Sequence, residues 1–154
     1  MALKKVSPNE IDRPVESRHQ QYVDAKMTCS ERVFLTVYSV LETEFPAEVV
    51  ALLTGFGGGV GGTHASLCGA VAGGVAAIGS VYGRRKPAEE SRDRAYEVAR
   101  AFLCEFKSKF GTEVCGELLG DLLRKNGFDS DERKERCFQY TLNAAKMCVK
   151  LLSS

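Results

Sequence analysis

Six cysteines, Cys29, Cys68, Cys104, Cys115, Cys137 and Cys148, are the residues of this chain best equipped for chemistry. Thiolates ligate soft metals and iron–sulfur clusters, and pairs of thiols exchange with disulfides. Six is many for 154 residues if the thiols stay reduced. No CxxC occurs, so a thioredoxin-type dithiol is unsupported, and without CxxCH no c-type haem is expected. The two histidines offer less. His19 falls in a polar segment and His64 in a glycine-rich one, where it reads as a solvated side chain, a proton donor or a spare ligand near Cys68. Glu89, Glu90, Asp93, Asp129, Asp131 and Glu132 read as solvated faces and helix-start charges, so hydrolytic catalysis is not indicated.

The second unusual feature is GFGGGVGG, Gly55 to Gly62, inside a stretch from Val49 to Gly83 that has no Asp, Glu, Lys or Arg. Gly57-x-Gly59-x-x-Gly62 matches the dinucleotide fingerprint by letter only. A helical segment precedes it and no acid follows at the ribose position, so no nucleotide is expected. A P-loop would need Lys-Ser/Thr after the last glycine, where Thr63-His64 stands. Ala65 to Tyr82 is uncharged and carries GxxxG, with Arg84, Arg85 and Lys86 beyond it. Its many glycines and alanines fit a helix that other helices approach closely better than one that faces lipid, so membrane insertion is not expected.

The elements that must position these residues all read as helices. A polar helix runs from about Pro14 to Ala25. Thr28 and Glu31 form a capping box before a helix with Val33, Phe34, Val37, Val40 and Leu41 on one face. Pro46 fits the first turn of a helix to about Thr54. The glycine loop leads into a central small-residue helix from near Cys68 to Val81. A helix from about Ala88 to Phe110 carries the stripe Tyr96, Ala99, Leu103, Phe106 and Phe110, ended by Gly111. Thr112 reads as the N-cap of a short helix in TEVCGELL, and NGFDSDE reads as a turn. The last helix runs from near Ser130 to about Leu152 with Phe138, Leu142, Ala145, Val149 and Leu152 as its stripe. Strand-like alternation is absent, so the fold is expected to be all-α: a compact bundle of five to seven helices. It reads as one domain over 1–154, with 1–26 an N-terminal extension and 27–152 the core.

On these elements Cys29, Cys68 and Cys115 fall at helix N-termini, where the macrodipole favours a thiolate, and Cys137 lies a turn or two into the last helix. Cys104 falls off the apolar stripe of its helix. Cys148 is eleven residues of helix beyond Cys137, about 16 Å, and reads as packing. The candidate ligands are therefore Cys29, Cys68, Cys115 and Cys137. Gly57, Gly58 and Gly59 are candidates to bring backbone N–H groups to the sulfurs, and Gly69 and Gly73 to let helices close around them.

The net charge of +1 gives no electrostatic case for nucleic acid. The N-terminal segment has no apolar core of a signal peptide, so a cytoplasmic location is expected. The order TCSERV, GFGGGVGG, CGAVAGG, EVCGELLG and ERCFQYTLNAA resembles the C_GCAxxG_C_C family of redox-active proteins from about Cys29 to Leu152, with CGAxxG complete at Cys68 to Gly73. The resemblance implies a redox role for the four cysteines, an iron–sulfur cluster, on the pattern of its relatives [2Fe–2S], and a redox partner protein with a possible link to a transporter. The small-residue helix makes a homodimer an open option. A metal-free thiol–disulfide protein, a four-cysteine zinc site and a transporter-accessory module remain alternatives. Whether the chain is an enzyme is left open.

Overall fold

The computed structural model describes residues 3–125 and 129–154. Among these, the helices are α1 (Asp12–Asp24), α2 (Cys29–Leu41), α3 (Gly69–Tyr82), α4 (Asp93–Phe110), α5 (Cys115–Leu119), α6 (Leu122–Lys125) and α7 (Asp131–Ser153), with 3-10 turns at Pro8–Glu10 and Ala47–Phe56. The all-α expectation holds. The one β-type pairing among the described residues is an isolated antiparallel bridge between Leu67 and Val114.

Small side chains put α3 at the centre, packed against α2, α4, α7 and the Ala47–Phe56 segment. A Cβ at Gly73 would run into the Ser30 carbonyl oxygen of α2, and one at Gly74 into the Phe102 ring of α4. The α2 face expected from the sequence (Val33, Phe34, Val37, Val40, Leu41) is buried against it. Because α3 spends its small-residue faces inside the bundle, they give no support to a dimer. No helix among the described residues is long and apolar enough to cross a membrane.

Several boundaries move. The fourth helix starts at Asp93, not Ala88, because the backbone before it is held by side chains: Arg84 donates to the Pro87 carbonyl and Glu90 accepts from the Arg85 N–H. Its buried face is Val98, Phe102 and Phe106, whereas Tyr96 is 52% exposed. The segment after Pro46 is 3-10 rather than α. Its β-branched Val49, Val50 and Thr54 are weak helix formers, and Ser30 Oγ draws the Leu53 carbonyl onto α2 at 2.7 Å. Thr112 is not an N-cap: Val114 takes that place, putting Cys115 at the first helical position. Of the NGFDSDE turn, 126–128 lie outside the described residues.

Candidate functional site

Cys29, Cys68, Cys115 and Cys137, carried by α2, the start of α3, α5 and α7, line one cavity of about 810 Å³. Cys104 is exposed on α4 and Cys148 is fully buried, and neither lines the cavity. All six are free thiols.

Each of the four is placed by a local device. The capping box forms: the Thr28 N–H donates to Glu31 Oε2 at 2.9 Å, and Thr54 Oγ1 donates to Glu31 Oε1 at 2.7 Å. It fixes Cys29 at the first position of α2. The Leu67–Val114 bridge fixes two more. The Cys68 N–H donates to the Glu113 carbonyl at 2.7 Å and the Cys115 N–H to the Ser66 carbonyl at 2.9 Å. The period of two along such a pair puts the Cys68 and Cys115 side chains on the same face. The Cys29 sulfur occupies the space that a Cβ on Gly69 would need, so it rests beside the residue that follows Cys68. Ser130 caps α7 by accepting from the Arg133 N–H at 3.2 Å, one turn before Cys137.

The candidate glycines divide. Gly57, Gly58 and Gly69 line the cavity, whereas Gly59 and Gly73 do not. Gly73 serves the α2–α3 contact. Gly59 sits behind the site, where an added Cβ would stand 2.6 Å from the Cys115 Cβ. The loop also commits N–H groups to its own carbonyls: Gly61 to Gly55 at 2.8 Å, Gly62 to Gly57 at 3.1 Å and His64 to Gly58 at 2.9 Å. Those three groups bind the loop together rather than a sulfur.

The electrostatics correct the thiolate argument. Burial, then the neighbouring Cys29, pushes the Cys68 thiol up to about 12. Burial, then Cys29 and Cys137, pushes Cys115 up to about 11. Burial also raises Cys137, against a hydrogen bond from Arg133. At Cys68 and Cys115 desolvation of a charged sulfur thus outweighs the helix termini, and these two metal-free thiols are protonated at neutral pH. Facing them is Arg32, half-buried on the cavity wall and paired with no carboxylate among the described residues. It donates from one guanidinium nitrogen to the Met27 carbonyl at 3.1 Å; burial lowers its pKa, and a thiolate at Cys29 or Cys137 would oppose that shift.

Sequence reasoning missed Arg32, Arg133 and Tyr140, which also line the cavity. The arginines were legible in principle. Arg32 is three residues after Cys29 and Arg133 four before Cys137, the spacings that bring side chains together on one helix face. His19, expected in a polar helix, is fully buried, 2.7 Å from Thr141 Oγ1.

The donor set fits a sulfur-ligated centre in kind, and the arginines suit its negative charge. The four sulfurs do not close into a single-ion cage: among the described residues no group of three or more His, Cys, Asp or Glu is arranged to hold one metal ion. A cluster divides its thiolate ligands between irons, so this counts against a zinc ion held by all four cysteines more than against a cluster.

No curated protein and no solved structure matches the chain. The sequence model of the family described as "Putative redox-active protein (C_GCAxxG_C_C)" matches residues 27–151, a span that contains all four cavity cysteines and the whole glycine loop. The chain belongs to the C_GCAxxG_C_C family.

Proposed function

We propose that the chain is an electron-transfer protein whose centre is an iron–sulfur cluster ligated by Cys29, Cys68, Cys115 and Cys137. The observation that carries this reading is that four separate elements bring one thiol each to the same cavity. The raised thiols support it. A buried thiol at about 11 or 12 is a poor exchange nucleophile without a base, whereas metal binding supplies the charge that displaces its proton. When bound, the cluster would supply one-electron chemistry. The chain's own part is to hold four sulfurs, to offset their charge with Arg32 and Arg133, and to screen them from water with the glycine loop. Leu52, Phe56 and Val60 are exposed large apolar residues next to and within that loop, a rim suited to a partner protein.

Metal-free thiol–disulfide exchange is the second reading, favoured by the Cys29 sulfur resting against Gly69, the residue next to Cys68.

Six single Cys→Ser variants, reconstituted with ferrous iron and sulfide, separate the readings. Loss of bound iron is expected in the Cys29, Cys68, Cys115 and Cys137 variants, with Cys104→Ser unchanged. Equal iron in all six would defeat the assignment.

A further inference from the structure

The glycine loop holds something more specific than open backbone. His64 Nδ1 lies 3.4 Å from Cys115 Sγ, at the cavity wall. His64 sits in the left-handed region at φ +58, as does the β-branched Val60 at φ +68, a conformation that side chains with a Cβ avoid. Such outliers persist where the surroundings over-determine them. His64 is over-determined from three sides. The His64 N–H donates to the Gly58 carbonyl at 2.9 Å, and the His64 carbonyl accepts from the Gly116 N–H at 2.6 Å. A Cβ at Gly59 would stand 2.9 Å from the His64 Cα, and one at Gly116 would stand 2.6 Å from the His64 carbonyl oxygen. Gly116 is the residue after Cys115, so the same contacts fix histidine and cysteine relative to each other.

We propose that His64 is a positioning residue of the sulfur site, donating a hydrogen bond from Nδ1 to the Cys115 sulfur, and that the glycine loop is folded to hold it there. The proposal deepens the iron–sulfur reading and rests on it for its redox consequence, although the contact itself does not. A ligating thiolate is an acceptor only, so the contact then requires the proton on Nδ1. Such a bond withdraws electron density from the sulfur and raises the reduction potential of the centre it ligates.

Two variants test this without straining the backbone. His64→Gly removes the donor and suits the left-handed position. His64→Asn tolerates that position and keeps an N–H donor near the place of Nδ1. After reconstitution with iron and sulfide, His64→Gly is expected to lower the reduction potential and His64→Asn to hold it near that of the unaltered chain. Equal potentials in all three proteins would overturn the role. The contact is read separately on the metal-free chain, from the imidazole ¹⁵N resonances of His64 with and without Cys115→Ala. Resonances that move with Cys115 support the contact, and resonances indifferent to it overturn the proposal whatever the metal content. A chain that takes up no iron sinks the iron–sulfur reading and leaves the contact to be decided by the resonances.

Discussion

At Gly59 the backbone has φ +66, and an added Cβ would meet both Cys115 and His64. At Gly61 φ is +62, but an added Cβ would meet nothing within 4 Å. The pair separates conformational cost from crowding. Gly61→Ala is expected to lose about 1 kcal/mol of stability, the left-handed penalty alone, and Gly59→Ala about 3 kcal/mol or more, together with cluster uptake. Urea melts and iron content check both. His19 gives a pH effect of defined sign. Thr141 Oγ1 donates to the Cys137 carbonyl at 3.0 Å, so it accepts from His19 Nε2–H, leaving the buried Nδ1 without a partner. Burial, then Arg32 and Lys146, lowers the His19 pKa from 6.5 to about 4. The unfolded chain therefore binds a proton that the folded chain refuses. The stabilisation is whole above about pH 6.5 and falls away as the pH drops towards 4, by on the order of 3 kcal/mol. Replacing His19 with Gln should flatten that limb relative to the unaltered chain, as read from urea midpoints between pH 7 and pH 4.5.

At the scale of elements, α2 is the most legible piece. Thr28-x-x-Glu31 announces its start, and its apolar spacing predicts the buried face. The box also holds Thr54, so Glu31→Ala should cost about 1–2 kcal/mol and loosen the loop's attachment, measurable as faster amide exchange around Thr54 and Gly57. The α4 stripe was less legible. Tyr96 and Val98 compete for the core, and the helix turns Val98 inward on the same face as Phe102, whose ring packs against Gly74. The Leu67–Val114 bridge was not legible at all. It joins residues 47 positions apart and spans a single pair, too short for alternation to register, yet it sets Cys68 beside Cys115. The thiol states were also out of reach, because helix position is local while burial is assembled by α2, α3, α5 and α7 together.

For the whole molecule, the cavity joins four elements that are distant along the chain, so occupation of it should couple to folding. The reconstituted chain is expected to melt above the metal-free chain, since a ligand bound only by the folded state stabilises it. Differential scanning calorimetry on both forms reads the difference. Gly73→Ala should reduce it from a distance, by prising α2 and its Cys29 away from α3. What the four thiols hold is read from the visible spectrum of the chain purified without oxygen, with iron, acid-labile sulfide and zinc determined on the same sample. Brown protein with iron and sulfide in equal amounts and little zinc is expected. Colourless protein that stays free of iron after reconstitution would contradict the iron–sulfur reading.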